Sequence, residues 1–217
     1  MFNQTNIEKF STIKTQFYYY DIELLKKTLY AAKKETDKYG FHLHYAFKAN
    51  CNHEILKTIH EFGLGADCVS GNEVKAAIEN RYAPKHIVFA GVGKSDDEIN
   101  YALDQNIFCF NCESLQELEV INELAVQKNK IAKIALRLNP NVDAYTHKYI
   151  TTGLEENKFG INAHELDEVL ALLKKLKYLK LTGLHFHIGS QITDLNPFRK
   201  LCTKVNEFTT LKKKKGI

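Results

Sequence analysis

Short apolar segments alternate with amphipathic segments along most of this chain, and the alternation limits the folds open to it. The apolar segments have the length of buried strands, whereas the segments between them repeat apolar residues every three or four positions, as helices do. Strands are predicted at residues 42–48, 65–70, 86–90, 107–110, 131–138 and 181–188. Regular alternation of this kind is typical of α/β proteins with a parallel sheet, either a barrel or a doubly wound sheet.

A helix is predicted before the first strand and another after each strand. The predicted ranges are 22–38, 52–62, 72–81, a helix that opens at 95, 114–128, 164–176 and 195–211. Capping boxes at Ser95–Glu98 and Ser114–Glu117 mark the starts of two of these helices. Residues 1–14 are interpreted as a lead-in, and the aromatic run at 16–21 as a strand-like segment.

The turns after the strands bear on the choice between a barrel and an open sheet. No predicted strand is followed by a Gly-x-Gly-x-x-Gly turn, which counts against a dinucleotide-binding fold. A closed barrel of this type has about eight strand–helix units. The sequence up to residue 217 supplies fewer, so these patterns alone leave both arrangements open.

Composition excludes several classes of partner. A hydrophobic content of 44% over 217 residues predicts one large domain with a substantial core. No apolar run is long enough to cross a bilayer and no signal peptide is visible, so no membrane partner is expected and the cytoplasm is the expected location. The net charge of +4 is scattered, so nucleic acid is not an expected partner. The five cysteines have no regular spacing and are interpreted as reduced thiols.

Lys48 lies in the segment Tyr-Ala-Phe-Lys-Ala-Asn, at the carboxyl end of the first predicted strand. A lysine held in a dry place there has a lowered pKa, and its amine becomes a nucleophile toward an aldehyde. Lys48 is therefore a candidate for Schiff base formation. Taken alone, a lysine at a strand end is more often ordinary, with its ammonium in water and its stem on apolar surface.

His185 and His187 end the last predicted strand, just before Gly189 and Ser190. Residues two apart in a strand point to the same face. Three interpretations are open: a metal-binding pair, a ring stacked on a flat cofactor, or two satisfied core histidines. Because no acidic residue accompanies this strand as a further ligand, the metal interpretation is the weakest, and no metal is predicted.

Charged residues also lie near the ends of the second and fifth predicted strands. Asp67, Ser70 and Glu73 follow one another at the end of the second strand. The carboxylates could orient a nearby amine, but Ser70 and Glu73 equally suit a helix cap and a first helical turn. Arg137 lies within an apolar run of the fifth strand, where a buried arginine needs a partner.

Three segments resemble the pyridoxal-phosphate-dependent decarboxylases of basic and diamino acids, a family with an alanine racemase-like barrel and a second, β-rich domain. Tyr-Ala-Phe-Lys-Ala-Asn at 45–50 and Phe-His-Ile-Gly-Ser-Gln at 186–191 are similar to motifs of the wider family. The segment 139–161, from Asn-Pro-Asn-Val-Asp-Ala-Tyr-Thr-His to Asn-Lys-Phe-Gly-Ile, resembles the diaminopimelate decarboxylase branch in particular. The resemblance runs from about residue 17 to residue 217.

The resemblance implies a fold, a cofactor and a reaction. The fold class is α/β, a (β/α)8-type parallel barrel that is incomplete, with about six units present. Pyridoxal 5'-phosphate is the implied cofactor, and Lys48 carries it as a Schiff base while His187 stacks on the pyridine ring. Ser190 lies near the phosphate, and Asp67 and Arg137 support the site. The implied reaction converts a small amino-acid substrate, meso-diaminopimelate, to L-lysine.

The resemblance also implies segments that would follow residue 217. These are a glycine-rich phosphate loop, an acidic partner for the pyridine nitrogen, the last strands, and a β domain that supplies a Cys-Glu pair and a tyrosine to the neighbouring subunit of a homodimer. Residues 1–217 are therefore expected to be a pyridoxal-phosphate-binding barrel domain, truncated before its last strands and without the C-terminal β domain. Alone, such a chain is expected to be inactive and to associate through open sheet edges.

Other functions remain open at this stage. A decarboxylase of ornithine or arginine is the nearest alternative, followed by a barrel protein that binds pyridoxal phosphate without catalysis. A metal-dependent barrel hydrolase that uses His185 and His187 belongs to a different class. Metal analysis of the purified protein separates that last alternative from the others.

Overall fold

The computed structural model describes residues 4–140 and 159–214 and divides after Phe41 into two units. The first unit contains α1 (Gln4–Ser11) and α2 (Ile22–Asp37). Helix α2 begins after Asp21, whose carboxylate accepts a hydrogen bond from the backbone N–H of Leu24 at 2.9 Å. An acidic cap satisfies one of the N–H groups that have no partner at the start of a helix, so α2 begins as predicted.

The first unit differs from the sequence prediction in two places. The lead-in contains helix α1, and the aromatic run at 16–21 joins no β-ladder in the described chain. The ring of Phe10 in α1 packs against Phe17 and Tyr19, with centroid distances of 5.4 and 5.0 Å. Aromatic residues favour strands only when a neighbouring strand pairs with them, and here the rings pack against a helix instead.

Six parallel strands form the sheet of the second unit, and their order in the sheet follows their order in the chain. The strands are β1 (His44–Ala46), β2 (Gly65–Cys68), β3 (Ile87–Phe89), β4 (Cys109–Cys112), β5 (Ala132–Arg137) and β6 (Leu179–His185). The helices are α3 (His53–Glu61), α4 (Gly71–Glu79), α5 (Asp96–Gln105), α6 (Leu115–Gln127), α7 (Leu166–Leu173) and α8 (Asn196–Lys214). This arrangement confirms the predicted incomplete parallel barrel of class α/β.

The strand register brings the carboxyl ends of the strands to one edge of the sheet. Ala46 in β1 pairs with Asp67 in β2, and Asp67 pairs with Val88 in β3. Strand β1 is shorter than predicted because the chain turns into a 3-10 helix at Phe47–Ala49. Lys48 therefore lies in the turn that follows β1 rather than within the strand.

Apolar side chains between the sheet and the helices form the core of the second unit. Phe47, Phe89 and Phe110 are fully or almost fully buried in it. The hydroxyl of buried Tyr82 donates a hydrogen bond to the carbonyl of Leu56 at 2.8 Å, so the polar end of this ring is satisfied.

None of the described helices combines the length and the apolar character needed to cross a bilayer.

The carboxylate of Glu98 connects the starts of two neighbouring helices. One oxygen accepts a hydrogen bond from the backbone N–H of Ser95 at 3.0 Å, within a capping box that opens α5. The other oxygen accepts from the N–H of Gly71, the first residue of α4, at 2.6 Å. These bonds lower the pKa of Glu98. A Cβ at position 71 would lie 2.5 Å from Glu98 Cγ, so only glycine fits there as the chain stands.

Candidate active site

A cavity of about 490 Å³ opens at the edge where the parallel strands end. The predicted cofactor-site residues all line it: Lys48, Asp67, Arg137, His187 and Ser190. The other lining residues are Ala46, Val69, Ala90, Gly91, Val92, Glu113, Phe159 and His185. The structure therefore brings together residues that the sequence places on separate strands, at the edge where barrel enzymes have their sites.

The side chain of Lys48 is exposed, in the turn after β1. The dry environment predicted for this amine is therefore wrong for the described chain, because β1 is at one edge of the sheet and no described strand lies beyond it. Burial raises the pKa of nearby Asp67, and the positive charge of Lys48 opposes that rise. The amine and the carboxylate are thus within electrostatic reach of each other.

Ser70 and Glu73 have structural roles at the start of α4. The hydroxyl of Ser70 caps the helix by accepting a hydrogen bond from the N–H of Glu73 at 3.3 Å. The carboxylate of Glu73 accepts from the N–H of Val69 at 2.9 Å. The interpretation of Ser70 and Glu73 as residues of a helix start is confirmed. Asp67 lines the cavity, whereas Ser70 and Glu73 do not.

Arg137 and Glu113 form a buried ion pair in the cavity wall. Arg137 Nη1 donates to Glu113 Oε2 at 2.8 Å, and the two residues are 8% and 6% exposed. The expectation that a buried Arg137 has a partner is confirmed. Glu113 itself was not predicted from the sequence, although an acidic residue directly after the fourth strand follows the same pattern as Asp67 at the end of the second.

The segment 159–161 packs along the end of β5 and covers Arg137. The N–H of Ile161 donates to the carbonyl of Arg137 at 2.8 Å. The ring of Phe159 lies 5.7 Å from the guanidinium carbon of Arg137, a cation–π contact. Residues 141–158, which carry most of the resemblance to the diaminopimelate branch, lie outside the described residues.

His185 and His187 both line the cavity from the end of β6, on one face as predicted. Burial lowers the pKa of His185 to about 4, and the charge of Arg137 adds to this effect. Burial also lowers the pKa of His187, and the positive charges of Arg137 and Lys48 lower it further by smaller amounts. Both imidazoles are therefore neutral at pH 7, and a neutral, flat ring suits stacking on another flat ring.

Unpaired polar atoms in the cavity wall fit a polar ligand. Glu113 Oε1 and His185 Nδ1 are buried and have no hydrogen-bond partner in the described chain. Buried polar groups are normally paired, so these atoms point to a partner supplied by a ligand. Lys48 and Arg137 add positive charge, and Ser190 adds a hydroxyl. This set fits pyridoxal phosphate, which is anionic and flat and carries an aldehyde that a lysine amine can attack.

The described part of the chain offers no comparable set of metal ligands. Across residues 4–140 and 159–214, no three His, Cys, Asp or Glu side chains are grouped so that they could hold a metal ion. Cys109 and Cys112 are free and buried in β4, and burial raises the pKa of both thiols. A buried thiol with a raised pKa is a poor metal ligand, since the thiolate is the form that binds.

The six strands and the cavity fit one class of protein, the (β/α) barrels, which have their functional sites at the carboxyl ends of the strands. Residues 23–217 match the family described as pyridoxal-dependent decarboxylase, pyridoxal binding domain. The chain belongs to this family, and its cofactor is pyridoxal phosphate, as the sequence motifs implied.

Relatives within the family carry the name diaminopimelate decarboxylase. The Bacteroides thetaiotaomicron enzyme is 55% identical over 202 residues, which are 93% of this chain and 52% of that enzyme. The crystal structure of the Helicobacter pylori enzyme complexed with L-lysine is 43% identical with a TM-score of 0.90, over 98% of this chain and 54% of that one. The Paramecium bursaria Chlorella virus arginine decarboxylase bound to agmatine is 25% identical with a TM-score of 0.67, over 82% and 49% of the two chains. This chain thus spans about half the length of the relatives it matches.

Replacing His187 tests whether its ring stacks on the cofactor. We expect His187→Phe to bind pyridoxal phosphate within about threefold of the wild type, because a flat ring remains, and His187→Ala to bind about tenfold more weakly. Cofactor fluorescence during titration measures both affinities. Loss of a stoichiometric zinc or manganese ion from His187→Phe, measured by elemental analysis, would contradict stacking and favour the hydrolase alternative.

Proposed function

We propose that the protein carrying this chain is a pyridoxal-phosphate-dependent decarboxylase that converts meso-diaminopimelate to L-lysine and carbon dioxide. The observation that carries this proposal is the meeting of Lys48, Asp67, Arg137, His187 and Ser190 at one cavity. The substrate is inferred from relatives named diaminopimelate decarboxylase and from the Helicobacter pylori structure with L-lysine. The lower identity to the arginine decarboxylase makes arginine the weaker choice.

Five of the lining residues have roles that their positions allow. The Nζ atom of Lys48 is the amine that bonds to the cofactor's aldehyde, and the carboxylate of Asp67 lies within electrostatic reach of it. The neutral ring of His187 supports the flat face of the cofactor. Arg137, held by Glu113, supplies fixed positive charge in a partly dry wall, where charges act more strongly than in water.

The bound cofactor supplies an electron sink for the electron pair that is left when carbon dioxide departs. The chain must then return a proton to the α-carbon. Lys48 is the group assigned to this step, because an ammonium can donate a proton and the Lys48 side chain lines the cavity. A positioned proton donor of this kind contributes roughly 10²–10⁴-fold to a rate.

Substrate competition tests the proposed reaction. The purified whole protein that carries this chain, loaded with pyridoxal phosphate, is expected to release carbon dioxide from meso-diaminopimelate and to yield L-lysine in equal amount. L-arginine and L-ornithine serve as matched substrates, and faster release from either one would overturn the assignment. Retention of the cofactor without carbon dioxide release from any of the three would favour the non-catalytic binding protein.

We also infer, from the family resemblance, that residues 1–217 form the cofactor-binding barrel domain and that the protein works as a homodimer in the cytoplasm. The resemblance assigns some active-site groups to the neighbouring subunit, so activity and dimerisation should rise together with protein concentration. Sedimentation velocity over the concentration range of the activity assay measures both. Full activity in a monomeric fraction would contradict the inference.

A further inference from the structure

Lys94 is a buried cation that lies outside the cavity. It follows β3, and its side chain is only 1% exposed. An ammonium has three N–H donors, and here they reach the carbonyl of Gly91 at 2.7 Å, the carbonyl of Asn111 at 3.0 Å and the carboxylate of Glu117. Because every donor has a fixed acceptor, the ammonium holds the loop after β3 against β4 and the first turn of α6.

A continuous set of contacts leads from this ammonium to the cavity wall. One oxygen of Glu117 binds Lys94, and the other accepts a hydrogen bond from the N–H of Glu113 at 2.7 Å. The carboxylate of Glu113 accepts from Arg137 at 2.8 Å. Both Glu113 and Arg137 line the cavity, whereas Lys94 and Glu117 stand behind them.

The same ammonium also fixes a second part of the wall. Gly91 lines the cavity, and its φ of +104° is a conformation that glycine adopts readily. A Cβ on Gly91 would lie 3.0 Å from the carbonyl oxygen of Val69, so the backbone passes close to another lining residue. Lys94 holds this loop by the Gly91 carbonyl.

We propose that Lys94 is a positioning residue that sets the affinity of the cavity for pyridoxal phosphate. It acts through Glu117 on the Glu113–Arg137 pair and directly on the Gly91 loop, and it touches neither cofactor nor substrate. The inference rests on the proposed function, because it assumes that the cofactor binds in this cavity. Contiguous packed and hydrogen-bonded groups with fixed geometry are a physical route for such coupling.

The test separates positioning from folding stability. Lys94→Met leaves the partly buried carboxylate of Glu117 without its cation, so the melting temperature of the apo protein should fall. Lys94→Met/Glu117→Met removes both charges and should recover much of that temperature, because apolar side chains of similar volume can replace a buried ion pair. The dissociation constant for pyridoxal phosphate is then measured by fluorescence titration at a temperature where circular dichroism shows each variant folded. The absorption maximum of the bound cofactor is recorded in the same samples.

Both variants are expected to bind the cofactor about tenfold more weakly than the wild type, with a shifted absorption maximum. Lys128→Met is the matched control, since Lys128 pairs with Asp104 at 2.8 Å on the surface and should leave cofactor binding unchanged. The expected tenfold loss corresponds to about 1.4 kcal/mol of binding free energy. A double variant that binds the cofactor within about threefold of the wild type overturns the inference. If the wild type and Lys48→Ala bind the cofactor equally well, the proposal that the cofactor binds in this cavity is contradicted. That outcome differs from a contradiction of the Lys94 role alone, so the experiment distinguishes the two.

Discussion

Lys48→Ala is expected to abolish covalent attachment of pyridoxal phosphate and to lower the decarboxylation rate by roughly 10²–10⁴-fold, the range of a lost positioned acid–base group. The amine of Lys48 lines the cavity together with Asp67, and the proposed reaction gives it two tasks, bonding to the cofactor and returning a proton. Borohydride reduction of the wild type followed by peptide mapping should place the cofactor on the peptide that contains Lys48. The same treatment of Lys48→Ala should leave no labelled peptide.

Lys57→Ala provides the matched control for this experiment. Lys57 is an exposed lysine of α3 that does not line the cavity, so its removal should change neither labelling nor rate. A label on any other lysine of the wild type would contradict the assignment of Lys48. Unchanged turnover in Lys48→Ala would contradict both of its proposed tasks.

Arg137→Met is expected to lower the free energy of unfolding by about 3–5 kcal/mol, because it leaves the carboxylate of Glu113 buried without its cation. Glu113 is 6% exposed, and one of its oxygens already lacks a partner in the described chain. Urea unfolding at pH 7 measures the change. Cofactor affinity should fall in the same variant, because fixed positive charge is removed from the cavity wall.

The double variant Arg137→Met/Glu113→Leu separates the two effects. It removes both members of the ion pair, so stability should return to within about 1–2 kcal/mol of the wild type, since apolar replacements of a buried pair are often neutral. Cofactor affinity should stay below that of the wild type, because the guanidinium that lines the cavity is still missing although the net charge of the wall is unchanged. Recovery of affinity along with stability would mean that Arg137 acts only as a structural residue.

The strand ends could be predicted from the sequence because hydrophobic periodicity marks where buried strands stop. In a parallel sheet the carboxyl ends share one edge, so assigning Asp67, Arg137 and His187 to strand ends already predicted their meeting. The structure brings them together at one cavity. The roles of these residues toward the cofactor stay predictions. They were inferred from the resemblance to a family and not from the hydrophobic periodicity.

Other features depended on distances that the sequence does not contain. Glu113 and Asp67 both lie at the carboxyl end of a strand, but only the fold shows that the carboxylate of Glu113 reaches Arg137. The dry environment expected for Lys48 was wrong for the described chain, because a position at a strand end does not tell whether another strand lies beside β1. The aromatic run at 16–21 was also predicted wrongly, since ring packing against α1 took the place of strand pairing.

The carboxylate of Glu98 makes two strand–helix units interdependent in evolution. Any side chain at position 71 would collide with Glu98, and any shortening of Glu98 would strip a hydrogen bond from the starts of both α4 and α5. Neither position can change first without loss, so the two are expected to be replaced together. A chimera that took β3 and α5 alone from a relative without this carboxylate would separate the partners, so the smallest segment to exchange intact runs from α4 through α5.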